Sequence, residues 1–243
     1  MKCSKFKNLF NAGKEILLDI LFPKFCIGCG KEGTYLCEDC FYLIEILERQ
    51  YCPFCQVPKI VLDGKTCPLC RKSKKLTGLF CATSYENFLI KKIICEYKYS
   101  LIKELAIPLS LLIIIHFYNL GKLKNFSDFI LIPVPLHKKK LKNRGFNQAE
   151  EIAKELSKFL NISLLSNGLL KIRETKSQTE LQKEDREKNV KGAFVCTKKS
   201  LVAGRKILLV DDIFTTGATM EECARVLKEA GAKEVWGVVV ARG

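Results

Sequence analysis

The segment LLVDDIFTTGAT, Leu208 to Thr219, sets two adjacent carboxylates, Asp211 and Asp212, just ahead of Thr215, Thr216, Gly217, Ala218 and Thr219. A turn of such small and hydroxylated residues at the start of a helix offers several N–H groups and hydroxyls to one phosphate, at the positive end of the helix dipole. Gly217 permits close backbone approach. The carboxylates repel phosphate, so they must meet something else, either hydroxyl donors or a metal. A ribose 5-phosphate presents both halves, a diol for Asp211 and Asp212 and a phosphate for the turn.

Cysteine supplies the second chemistry. Eight of the thirteen cysteines fall in four Cys-x-x-Cys pairs, CIGC, CEDC, CPFC and CPLC. Each pair lets two thiolates converge on one ion, and two pairs complete a closed tetrahedral site suited to Zn²⁺ with no position left for a catalytic water. Sequential pairing gives Cys26, Cys29, Cys37 and Cys40 as one site and Cys52, Cys55, Cys67 and Cys70 as the other. Interleaved pairing is the alternative, but sequential pairing closes shorter loops and fits the apparent duplication. Both metals are then structural, and chelation should unfold a module with few large apolar side chains. A redox dithiol would need only one pair. Cys3, Cys81, Cys95, Cys196 and Cys223 lack a partner at ligand spacing and read as ordinary thiols or small core residues.

A third candidate is the stretch after Val134. Lys138, Lys139, Lys140, Lys142 and Arg144 occur with no acid between Pro133 and Ala149. Placed after a strand's carboxyl end, this basic loop lies where α/β sheets bind ligands. A pyrophosphate suits the Pro135, Leu136, His137, Lys138 turn. A nucleic-acid backbone suits Lys139, Lys140, Lys142 and Arg144, with Phe146 either a stacking face or a hydrophobic staple.

These residues must be positioned by a chain of 243 residues, enough for one ordinary domain and a small accessory one. Hydrophobic residues make up 48% and charged ones 28%, which excludes wholesale disorder. The formal charge of +15 favours anionic partners, and two zinc-loaded tetrads remove only four units of it. Cysteine use points to a reducing compartment and no secretory signal is visible, so a cytoplasmic location is expected. Leu105 to Tyr118 is too short for a membrane span and contains Pro108 and His116, so it is expected to be a buried helix, with His116 a satisfied core or edge histidine.

Three regions are expected: an amphipathic helix over 1–24, packed on its own protein or lying on a membrane surface; the zinc ribbons over 25–76; and an α/β domain over 77–243. The polar run Arg71 to Gly78 reads as a linker. Asp128 to Pro135, Lys206 to Asp212 and Val235 to Val240 read as buried parallel strands. Between them, a helix after Asn147 carries a capping box with Glu150 and an apolar face of Ala149, Ile152, Ala153, Leu156, Phe159 and Leu160. A second helix carries Met220, Ala224, Leu227 and Ala230 and ends at Gly231.

The acid–threonine segment resembles the phosphoribosyl pyrophosphate (PRPP) motif of type I phosphoribosyltransferases. That resemblance implies a mostly parallel five-stranded sheet, a hood over the site, Mg²⁺ on the pyrophosphate and an oxocarbenium-like transition state at the ribose. Ile132 to Ala153 and Arg173 to Phe194 are similar to the ComF/ComFC family of competence proteins, in which a double zinc ribbon precedes a phosphoribosyltransferase domain. Pro133, Pro135, Arg144, Gly145, Asn147, Gln148, Gln178, Arg186, Asn189, Gly192 and Phe194 match, whereas Lys140 stands where the family often has arginine. The resemblance implies a role in DNA uptake with single-stranded DNA and competence proteins as partners. An active phosphoribosyltransferase is the alternative. A glutamine-dependent amidotransferase is not expected, because the chain enters zinc ribbons where a glutaminase domain would be needed.

Overall fold

The computed structural model describes residues 23–123, 126–175 and 183–243, so the expected leading helix lies almost wholly outside the described residues. The chain forms two compact units, one ending at Ile44 and the other running from Glu45 to Gly243.

In the first unit, a short helix α1 (Glu38–Tyr42) starts at Cys37, whose sulfur accepts from the Cys40 N–H. The second unit opens with the second cysteine pairs and α2 (Pro68–Arg71), then becomes α/β. Its strands β1 (Gly78–Ser84), β2 (Phe129–Pro133), β5 (Lys206–Phe214) and β6 (Glu234–Arg242) form one all-parallel sheet in the order β1-β6-β5-β2. A separate antiparallel ladder joins β3 (Leu169–Lys171) to β4 (Phe194–Cys196). The helices are α3 (Phe88–Tyr99), α4 (Ala106–Asn119), α5 (Lys138–Arg144), α6 (Gln148–Leu160), α7 (Lys183–Val190), α8 (Lys199–Val202) and α9 (Ala218–Glu229).

The strands are apolar on both faces because both are covered. Ile207 and Leu209 of β5 enter a core shared with Met220, Cys223, Ala224 and Leu227 of α9. Leu208 and Val210, pointing the other way, are fully buried on the face covered by α4 and α6. An aromatic cluster fills the β1–α4 side, with Phe80 stacked on Trp236 at 5.2 Å and edge-on to Phe117 at 5.2 Å.

Several expectations need correction. Among the described residues the sheet has four laddered strands. The would-be fifth, Ser163 to Leu165, makes only a bridge to Leu131, with Leu131 N–H on Ser163 O and Leu165 N–H on Leu131 O. It is too short to ladder because Asn161 turns left-handed (φ +51°) just before it and a turn follows at once. Arg71 to Gly78 is no free linker: the Lys75 and Leu76 N–H groups donate to Glu221, and Thr77 N–H donates to Val235 O. The basic loop is largely the helix α5, closed at Gly145 (φ +67°). Phe159 is 55% exposed, off the face that buries Leu156. Leu105 to Tyr118 is a buried helix as expected, but neither ring nitrogen of His116 makes a hydrogen bond. Desolvation lowers that imidazole to about 4 against a weak pull from the Leu47 backbone, so it is neutral.

Asn147 caps α6 by position only. Its side chain makes no capping bond; its Nδ2 instead donates to Val134 O at 3.0 Å, fixing the exit of β2. Replacing Asn147 with Ala leaves that buried carbonyl short of a donor. It should cost about 1–3 kcal/mol, read as a lower urea midpoint at unchanged m-value.

Candidate functional site

The carboxyl ends of β2 and β5 open onto a cleft of about 270 Å³. Asp211, Asp212, Thr215, Gly217 and Thr219 line it from β5 and the following turn, and Pro135 and Leu136 from beyond β2. The expected acid and threonine residues therefore meet around one cavity. Thr216 and Ala218 do not line it, and Ala218 is buried as the first residue of α9. His137 and Lys138 also lie outside the lining. The His137 Nδ1 is buried without a hydrogen bond, and Lys138 faces solvent at the start of α5.

The turn depends on Gly217, the residue before α9, at φ +78°. A Cβ there would stand 2.4 Å from the Phe214 ring and 3.1 Å from Phe54, so both conformation and space demand glycine. Phe54 belongs to the second cysteine module and meets Phe214 edge-on at 6.2 Å. Arg242, at the end of β6, donates to Cys52 O and Pro53 O, both at 3.3 Å. The second cysteine module thus braces the phosphate-type turn from behind.

Successive strand residues point to opposite faces, so the two acids see different surroundings. Asp212, 6% exposed, is paired with Lys98 of α3 at 2.9 Å. Lys98 is fixed by its neighbour: Tyr97 Oη donates to Gln148 O at 2.9 Å, while Gln148 Nε2 donates to Tyr97 O at 3.3 Å. Burial, then the Asp212 charge, pushes Asp211 up to about 7, with the Asp212 N–H opposing through a 2.9 Å bond. Lys171, on the β3–β4 ladder, is brought down to about 8 by burial, then by Lys140. It donates to Thr175 at 2.7 Å, and both residues line the cleft from where a hood is expected.

Lys140 and Arg144 of α5 line the same cleft. Arg144 donates to Gln148 Oε1 at 3.2 Å and lies over the Tyr99 ring at 5.5 Å. The other two basic residues expected to act with them diverge: Lys139 pairs with Glu174 at 2.7 Å on the surface, and Lys142 is solvent-exposed. Phe146 is 4% exposed and packed 5.4 Å from Tyr97, so it offers no stacking face. Gln178 lies outside the described residues. Lys98, Lys171, Tyr99 and Cys95 line the cleft without any sequence signal, since each is an isolated residue within an ordinary helix or strand.

The cysteines gather in sequential order, Cys26, Cys29, Cys37 and Cys40 in one unit and Cys52, Cys55, Cys67 and Cys70 in the other, with all sulfurs of a set within 4.8 Å of one another. Sulfur separations of 3.6 Å (Cys26 to Cys37, Cys29 to Cys37, Cys55 to Cys67) and 3.7 Å (Cys55 to Cys70) fit a tetrahedron of about 2.3 Å zinc–sulfur bonds, whose edge is about 3.8 Å. The Cys70 N–H helps lower Cys67 to about 6, favouring the thiolate that ligates metal. Both tetrads suit structural zinc.

Residues 141–243 match the Phosphoribosyl transferase domain, and residues 17–65 match the Double zinc ribbon domain. Zinc-ribbon cysteine sites and a phosphoribosyltransferase domain in one chain define the class of protein. The chain is 38% identical over 111 residues to Competence protein F of Haemophilus influenzae, covering 44% of this chain and 48% of that one, about half its length. It is 29% identical over 208 residues to Competence protein ComFC of Streptococcus pneumoniae, covering 84% and 86% of the two chains. It is 30% identical over 193 residues to DNA utilization protein YhgH of Shigella flexneri, covering 78% and 83%. The chain belongs to the ComF/ComFC family.

Gly217→Ala should abolish phosphate-ligand binding in the cleft while leaving most of the far-ultraviolet circular dichroism intact. Stripping zinc with a chelator should weaken the same binding, because Phe54 then no longer supports the turn. Calorimetry with inorganic phosphate and ribose 5-phosphate before and after chelation checks both.

Proposed function

We propose that the cleft binds a phosphoribosyl ligand of the PRPP type and that the protein handles single-stranded DNA during DNA uptake. The observation that carries the first half is the convergence on one cleft of the Thr215–Thr219 turn, two carboxylates and the four cations Lys98, Lys140, Arg144 and Lys171. On this reading Asp211 and Asp212 take the ribose hydroxyls, the turn takes the 5-phosphate, and the cations take the pyrophosphate. Mg²⁺ would have to come with the pyrophosphate, because two carboxylates, one already paired with Lys98, are too few to cage the ion. The second half is supported by relatives named for competence and DNA utilization and by the basic helix α5, where the outward-facing Lys139 and Lys142 are the proposed strand contacts while Lys140 and Arg144 face the cleft. Cations placed to stabilise a departing pyrophosphate also favour the second reading, phosphoribosyl transfer, which pyrophosphate release with candidate acceptors would reveal. Among the described residues no helix is long and apolar enough to cross a membrane, and a cytoplasmic site of action is part of the proposal.

Calorimetry of the zinc-loaded protein should show Mg-PRPP binding that Asp212→Asn weakens at least tenfold, with oligonucleotide binding unchanged. Absence of a PRPP signal in the wild type would remove the sugar-phosphate reading. The pH dependence is set by two groups of opposite sign. Asp211 accepts hydroxyls best when ionised, above about 7, and Lys171 attracts anions only while protonated, below about 8. Affinity should therefore rise as pH approaches 7 and fall above 8. Asp211→Asn should remove the acid's share of the lower limb, whereas the ligand phosphate's own titration persists in both proteins.

A further inference from the structure

A second groove, of about 790 Å³, lies at the opposite end of the sheet. Its lining includes Glu234 and Trp236 from the start of β6, Thr77 just before β1, and the carboxyl-terminal part of α9. Along the sheet the groove reaches Trp236 and the cleft begins at Asp211, which lies beside Val239, about 10 Å further on at the usual strand rise. Six cations line the groove: Lys65, Arg71, Lys74, Lys75, Arg225 and Lys228. Glu229 and Glu234 in the lining, and Glu187, Glu221 and Glu222 beside it, oppose them.

Not all six are free to meet a ligand. Lys74 pairs with Glu187 at 2.8 Å, Arg225 with Glu222 and Glu229, and Lys228 donates to Lys233 O. Glu234 is engaged by the Trp236 indole N–H at 2.8 Å. Lys65, Arg71 and Lys75 are exposed and form no ion pair among the described residues. Their backbones are nevertheless fixed: Arg71 N–H donates to Cys67 O in the second zinc module, Lys65 N–H to Leu62 O, and Lys75 N–H to Glu221. Burial lowers the Lys228 ammonium, with Glu234 opposing the shift and Lys75 adding a smaller push. Fixed, uncompensated cations along a concave wall focus a positive field that a polyanion relieves.

We propose that this groove is a second anion site that takes the phosphate backbone of single-stranded DNA, resting on the DNA-handling reading above. Its volume and open shape suit a chain rather than a small phosphate, and its concavity suits a strand rather than a flat anionic bilayer. Trp236 is 7% exposed, so recognition is by backbone charge and not by base stacking. The groove and the cleft share no lining residue, so one does not block the other.

The test is fluorescence anisotropy of labelled oligothymidylate on the zinc-loaded full chain across a salt series. Lys65→Gln, Arg71→Gln and Lys75→Gln combined should weaken binding roughly 10- to 100-fold at 0.1 M salt. The same triple variant should reduce the log–log salt slope by about 2, at about 0.7 per phosphate. Zinc content and PRPP binding should be unchanged. Lys75→Gln alone should reduce the slope by about 0.7, and Lys75→Arg should restore it. Wild-type binding that survives the triple substitution with the same slope, but is lost when Lys139, Lys140 and Lys142 are neutralised, overturns the groove and keeps the DNA reading. No wild-type binding at low salt removes the DNA reading itself. Binding to anionic vesicles in place of oligonucleotide, abolished by the triple substitution, assigns the groove to lipid and overturns the proposal.

Discussion

The candidate site depends on one spatial constraint: nothing larger than hydrogen fits between Phe214 and Phe54 where the chain turns left-handed at Gly217. That backbone places the turn at the start of α9, where the helix dipole is positive. Phe54 belongs to the second cysteine module, and Arg242 clamps that module to the end of β6. The module of a cysteine tetrad suited to structural zinc thus supplies the phenylalanine that confines this turn. The compact unit from Glu45 includes both the second tetrad and the sheet, consistent with this mechanical dependence.

Charge in the cleft centres on one ion pair, Lys98 with Asp212. Lys98 and, behind it, Lys171 also act on Asp211, whose carboxyl is nevertheless pushed up by burial and by the Asp212 charge. Partial desolvation strengthens every one of these terms. The resulting wall sets carboxylates and cations side by side, with Lys98 and Asp212 in direct contact and the cations carried on α3, α5 and the β3–β4 ladder.

Much of this was legible from residue types. The acid–threonine turn, the cysteine spacing and the buried strands β2, β5 and β6 are local patterns, and locality is what sequence preserves. β1 was missed because GLFCATS is a short run that mixes apolar residues with Gly, Thr and Ser and has no clean period. The polar run before it looked like a linker because its charges are visible while the Glu221 carboxylate that pins it is about 145 residues away. Asn147 read as a cap because its backbone position is right, but a nearby carbonyl outcompetes the helix for its amide. Lys98 and Lys171 were invisible for the same reason: long-range packing alone gives them their meaning.

The ion pair at Asp212 sets a threshold for whatever sugar enters. On the proposed ribose role, an incoming ring must supply enough hydroxyl donors to compensate a carboxylate for sharing or surrendering its ammonium partner, and 2-deoxyribose brings one fewer than ribose. On that role, the 2-deoxy sugar of DNA fits this pocket less well than ribose, and the ion pair becomes a filter on sugar identity.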